Sequence, residues 1–128
     1  MENFALKDRF AKHLHAEIVE VVNGRAKAKL KIREDYLNGL DTAHGGVIFS
    51  LVDYTFALAA NNQEETGFAI NSSINFIKSA ALGDEIFADV KEISRSRRLG
   101  MYQGFVSNQN GDILAQFQAM AYLKKKEE

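Results

Sequence analysis

Between Arg25 and Arg33 polar and apolar residues alternate without a break, with Ala26, Ala28, Leu30 and Ile32 on one side and Arg25, Lys27, Lys29, Lys31 and Arg33 on the other. A period of two belongs to a strand with one face buried and the other in water. Asn23-Gly24 precedes it. This dipeptide accepts positive φ at both central turn positions, so Ala16 to Val22 is expected to be the hairpin partner. Upstream, Phe4, Leu6, Phe10 and Leu14 recur at helical spacing among charged residues, which predicts a leading helix over Asn3 to Leu14.

Beyond a turn-rich stretch, Asn38 to Ala43, the segment HGGVIFSLVDYTFALAANN is apolar almost all round and rich in Ala and Leu. That is the pattern of a buried helix. Strand periodicity then resumes. Phe68, Ile70, Ile74 and Phe76 are expected on one face, Ile86, Ala88 and Val90 on another, and Ile113, Ala115, Phe117, Ala119, Ala121 and Leu123 along the last strand. Leu99 to Ser107 reads as a further strand, and Asn110-Gly111 as a second hairpin turn. A hairpin, one helix and then hairpin-linked strands imply an α+β fold, an antiparallel sheet of about five or six strands wrapped around one long central helix.

Length and composition add limits. The 128 residues suit one domain, 1–128, able to bury a core without staples, and the tail from 124 to 128, KKKEE, is expected to be solvated and frayed. Sixteen basic against 17 acidic side chains leave a net charge of -1, so no whole-molecule field attracts nucleic acid. Cysteine is absent, which removes thiolate nucleophiles, thiolate metal sites and disulfides and fits a cytoplasmic protein. MENFALKDRF has no apolar run of the kind a signal peptide carries. Val47 to Ala60 is short for a membrane span and contains Asp53.

Asp53 is the residue that most needs an explanation. Leu51, Val52, Phe56, Leu58 and Ala59 around it predict burial, and an unpaired buried carboxylate costs roughly several kcal/mol. Either its helix face reaches solvent or neighbouring amides or hydroxyls satisfy it, or it is a general base or nucleophile in a cleft, where desolvation raises its basicity. Gly45-Gly46 opens the same helix, where free N–H groups and the positive dipole end could polarise a carbonyl. A tight turn into the helix accounts for the pair equally well. His44 is placed to cap the helix, orient the loop or touch a substrate.

Spacing constrains these roles. Gly45 and Asp53 are eight residues apart, roughly 12 Å along a helix axis, whereas an attacking base and an oxyanion donor must reach one carbon. If both act on one bond, the helix start must meet Asp53 of a second copy, which makes the active unit a dimer with shared sites. Arg95, Arg97 and Arg98 cluster near a strand end, either as a phosphate-binding set or as a solvated turn. His13 and His15 have no third ligand in view, so no metal site is expected. No P-loop, dinucleotide fingerprint or GxSxG elbow occurs.

The segment LNGLDTAHGGVIFSLVDYTFALAANN, Leu37 to Asn62, resembles the signature of the PaaI-like hotdog-fold thioesterases, and the likeness extends more loosely from Phe68 to Leu123. The resemblance implies hydrolysis of an aryl- or fatty-acyl-CoA thioester. Asp53 then corresponds to the base or nucleophile, the Gly45 amide to the group polarising the carbonyl, and Asn38 to the residue placing water or thioester. His44 then sits beside that carbonyl, and Gly46 is expected among the substrate-binding residues. It also implies homodimers that pair into homotetramers, and no metal or cofactor beyond the CoA of the substrate. Some relatives carry a small hydroxyl residue near Ala69, whose role here falls vacant or passes to Asn71 or Ser73. Lys78-Ser79-Ala80 replaces an Arg-Pro-Ala-like turn. Two other readings use the same pocket: a non-catalytic acyl-CoA sensor, and a hydratase or dehydratase pairing His44 with Asp53.

Overall fold

The computed structural model describes residues 2–61 and 64–126. Two short helices, α1 (Glu2–Lys7) and α2 (Arg9–His13), precede the hairpin of β1 (Glu17–Val22) and β2 (Arg25–Lys31). A 3₁₀ turn at Glu34–Tyr36 leads into α3 (Gly45–Ala60). There follow β3 (Glu65–Phe76), β4 (Glu85–Arg95), β5 (Leu99–Asn108) and β6 (Ile113–Lys125). The six strands form one antiparallel sheet in the order β1-β2-β4-β5-β6-β3, and α3 lies across one face of it. This is the expected α+β arrangement, with six strands. No helix among the described residues is long and apolar enough to cross a membrane.

The alternation from Ala26 to Ile32 does what its period predicts: all four apolar residues are buried, while the outward Arg25 and Lys29 pair with Asp89 and Glu85 on β4. Both Asn-Gly turns form, with Gly24 at φ 82° and Gly111 at φ 83°. The centre of α3 supplies Leu51, Val52, Phe56 and Leu58 to the core, against Val90, Tyr102, Val106 and Phe117 from the sheet. Thr55, fully buried, donates its hydroxyl to the Leu51 carbonyl at 2.7 Å.

Four expectations need correction. The leading helix is broken at Asp8, whose carboxylate accepts the Ala11 N–H at 2.9 Å and so starts a new helix. Leu6 and Phe10 are consequently exposed, and the buried residues of this segment are Ala11 and Leu14. In β3 the register shifts between Ala69 and Asn71, and a bulge reverses which face each later residue occupies. Phe68 therefore lies opposite Tyr122, while Ile74 and Phe76 lie opposite the buried Phe117 and Ala115; the four do not share a face.

A second irregularity at Val106/Ser107 leaves Ile113 exposed and buries Leu114 in its place. Finally, β6 continues through Lys124 and Lys125, paired with Thr66 and Glu65, so two residues expected in the frayed tail are strand; 127–128, and Asn62 of the helical segment, fall outside the described residues.

Where α3 meets β3 the fit is close. Asn61 ends the helix by donating to the Ala57 carbonyl at 2.9 Å and exchanging hydrogen bonds with the Gly67 N–H and carbonyl at 3.1 and 3.3 Å. A Cβ at Gly67 would stand 2.8 Å from Ala60 Cβ and 2.9 Å from its carbonyl oxygen, and backbone cannot swing aside. Gly67→Ala is therefore expected to destabilise the fold by about 1–3 kcal/mol in denaturant titration; an unchanged midpoint would show that the helix end yields.

Candidate active site

The start of α3 is built by the loop before it. Asn38 accepts the Leu40 N–H at 2.9 Å, the Thr42 N–H at 3.2 Å and the Thr42 hydroxyl at 3.3 Å through Oδ1, which folds Asn38 to Thr42 into a tight turn. Its Nδ2 donates to no described residue. The Ala43 and His44 N–H groups donate to the Ala80 and Tyr36 carbonyls at 2.9 and 2.8 Å, fixing where the helix begins.

His44 is the N-cap: its Nδ1 accepts the Gly46 N–H at 2.8 Å and its carbonyl the Val47 N–H at 2.9 Å. With Nδ1 an acceptor, the neutral ring carries its proton on Nε2. The Gly46 amide is thus occupied, contrary to the expectation of two free N–H groups. Gly45, at the first helical position, keeps an N–H that no described residue accepts. It borders an open cleft of about 270 Å³ with Ile48, Phe76, Ile77 and Ser79. A Cβ at Gly45 would approach the Phe76 ring to 3.3 Å, so the residue sits against the end of β3.

Two turns further on, Asp53 is half-buried and its carboxylate makes no hydrogen bond or ion pair to any described residue. It opens into a different cleft, of about 280 Å³, between α2 and α3, lined by Asp8, Phe10, Leu14, Phe49, Tyr54 and Ala57 among others. Burial, and after it the nearby Asp8 charge, push the Asp53 carboxyl above the usual carboxylate range. Neighbouring amides and hydroxyls do not satisfy it. A partly desolvated, unpaired carboxylate facing a cleft is equipped to take a proton or attack an electrophile.

Because α3 is unbroken from Gly45 to Ala60, eight residues still separate the two groups by about 12 Å, with a rotation of roughly 80° about the axis. Within one chain they serve separate clefts. The edge beside Gly45 is, however, unfinished. β3 pairs on one side only, with β6, and carries Phe68, Ile70 and Phe76, each more than half exposed.

The remaining candidates scatter. Asn71 and Ser73 lie opposite Met120 and Gln118, positions that alternate with the buried Ala119 and Ala121, so both face away from α3. Arg95 is committed to Glu92 and Glu65, which raises its already high pKa further; it is not a free phosphate ligand. Arg98 donates to the Tyr122 hydroxyl at 3.0 Å. Arg97 and Arg98 share an open basic cleft of about 340 Å³ with Lys124 and Lys125, two residues that the sequence reading assigned to the tail. This cleft adjoins the start of β3, whereas Gly45 adjoins its end. Within one chain the two are therefore roughly 35 Å apart. His13 stacks on Phe10, and His15 lies 3.4 Å from the Tyr36 hydroxyl.

Residues 40–115 match the thioesterase superfamily. Over 115 residues the chain is 33% identical to a putative esterase of Archaeoglobus fulgidus, covering 90% of this chain and 75% of that protein. It is 30% identical over 115 residues to the acyl-coenzyme A thioesterase PaaI of Escherichia coli, covering 90% of this chain and 82% of that one. The solved structure of E. coli PaaI superposes with a TM-score of 0.92 at 28% identity, over 94% and 88% of the two chains. A Streptococcus mutans protein solved with acetyl CoA bound gives 0.83 at 26% identity, over 88% and 91%. From its turn-built helix start to its six-stranded sheet, the chain belongs to the thioesterase superfamily as a PaaI-like hotdog-fold thioester hydrolase.

Proposed function

We propose that the protein hydrolyses acyl-CoA thioesters at two sites shared across a homodimer. The observation that carries this reading is the unpaired Asp53 carboxylate on the same rigid helix as the free Gly45 N–H, too far from it to act on the same bond. A two-fold pairing of the apolar β3 edges brings the Gly45 end of one protomer toward the body of the other, and covers the open strand.

In each site Asp53 takes a proton from water as the oxygen adds to the thioester carbon. The developing oxyanion lies on the partner's Gly45 N–H, where a fixed dipole lowers the barrier without reorganising. Collapse of the tetrahedral intermediate breaks the C–S bond; the CoA thiolate regains a proton and the free acid leaves. Direct attack by Asp53 gives instead an anhydride that water opens, with the same net reaction. Asn38 Nδ2 and His44 Nε2–H are donors for the incoming water and the carbonyl. Gly46 acts through His44, which it holds.

Antiparallel pairing of the β3 edges also swings the partner's basic cleft toward Gly45, which gives Arg97 and Arg98 the CoA phosphates to bind; Arg95 is a support for that corner. Asn71 and Ser73, on the outer face of β3, contribute to the substrate channel only through the pairing. The exposed apolar residues Met101 and Phe105 on the same outer face suit the packing of two dimers into a tetramer. The catalytic scheme needs neither metal nor cofactor, and the absence of cysteine suits the cytoplasm.

The test is thiol release from aryl, short, medium and long acyl-CoAs, followed together with enoyl absorbance. Thiol release from at least one is expected. Tight binding without turnover across the panel would favour a sensor, and loss of enoyl absorbance without thiol release a hydratase.

A further inference from the structure

We propose that the cleft between α2 and α3 receives the acyl group, and that Asp8 is a specificity-determining residue which bars acyl groups ending in a carboxylate. The inference rests on the thioesterase reading and adds what the site selects. Three observations lead to it.

The cleft opens on Asp53, so a thioester carbon within reach of that carboxylate can direct its acyl arm there. Its walls are apolar where that arm would run: Phe10 from α2, Leu14 just after it, and Phe49 and Ala57 from α3. About 280 Å³ is nearly twice the roughly 150 Å³ that holds one benzene molecule in an apolar cavity. It admits a single ring or an alkyl chain of similar bulk, not a long fatty chain.

One side of the cleft is charged. Asp8 lines the cleft beside Asp53, held there because its carboxylate also caps α2 through the Ala11 N–H. Asp8 and Tyr54 are the titratable residues lining the cleft besides Asp53; Arg9, Lys12 and His13 of α2 are absent from its wall. A terminal carboxylate entering here would meet two like charges and no described cation, and unpaired like charge in a desolvated site is strongly disfavoured.

The experiment compares kcat/KM for benzoyl-, hexanoyl-, palmitoyl- and glutaryl-CoA in wild type, Asp8→Asn and Ala57→Leu. Asparagine caps a helix as well as aspartate does, so the first variant is expected to fold. Wild type is expected to prefer benzoyl- or hexanoyl-CoA over both others by at least tenfold. Asp8→Asn should raise glutaryl-CoA relative to hexanoyl-CoA about tenfold and move the acid limb of the kcat profile to lower pH. Ala57→Leu should depress benzoyl-CoA selectively and spare acetyl-CoA, which is added to the panel for this variant. Turnover with these ratios unchanged in both variants would overturn the inference while leaving the thioesterase reading intact.

A readout without turnover separates the two. The CH2-for-S ketone analogue of benzoyl-CoA should shift the amide NMR signals of Phe10 and Ala57. Such shifts without hydrolysis of any substrate would sink the thioesterase reading and keep the cleft assignment; their absence would sink the assignment.

Discussion

Replacing Asp53 by asparagine is expected to lower kcat by about 10²- to 10⁴-fold, the range supplied by a positioned general base, without loss of the fold. The stability part of this expectation has a definite sign. Burial and Asp8 raise the Asp53 carboxyl above its ordinary value of 3.8, so the folded state holds its proton more tightly than the unfolded chain. Ionisation therefore disfavours folding, and the penalty grows as the pH rises through that carboxyl's titration. Above it, Asp53→Asn removes the penalty and should melt no lower than wild type; toward pH 4 the difference should vanish. In wild type the base must be ionised to act, so kcat should fall on the acid side at a pH above 3.8. An inactive variant that also melts early would assign Asp53 a structural role.

The second large effect is expected at Gly45. Gly45→Pro deletes the N–H itself, and the first helical position tolerates proline because that N–H has no partner in the helix. His44, at φ -61° and ψ 136°, already has the extended conformation that a residue before proline needs. Loss of one oxyanion donor costs about 10²- to 10³-fold in kcat. Gly45→Ala is the control. It keeps the N–H while placing a methyl 3.3 Å from the Phe76 ring, and since that side chain is 55% exposed the ring has room to shift. Alanine should therefore lose far less than proline. Equal losses would mean that shape, not the N–H, matters at this position.

How far the sequence could be read depended on how local each signal was. The strand Arg25 to Lys31 and helix α3 declare themselves through periods of two and of continuous apolar character, and both Asn-Gly turns through φ. The distance between Gly45 and Asp53 follows from helix rise alone, so the expectation of sites shared across protomers draws on no tertiary contact. The break at Asp8 had a readable signal, an aspartate at a helix start, but it was masked by apolar spacing that fits one continuous helix. The bulge in β3 falls where INSSIN offers little alternation, so nothing marks the change of face.

Contacts between distant segments were out of reach. Arg95 looks like a free cation until Glu65, thirty residues away, is folded beside it. Lys124 and Lys125 look like tail until β3 pairs with them. Asp8 stands beside Asp53 only because α2 lies over α3. These are the contacts that decide which charges are available for substrate, and they come from tertiary structure.

The most direct test of shared sites mixes two inactive proteins. Asp53→Asn and Gly45→Pro protomers, unfolded together in equal amounts and refolded, should yield dimers of which about half are mixed. Each mixed dimer then holds one intact site, with Asp53 from one protomer and the Gly45 N–H from the other, so about a quarter of wild-type thiol release should return. A mixture no more active than its separate parents, although subunit exchange is demonstrated, would contradict the account and place both groups' work within a single chain.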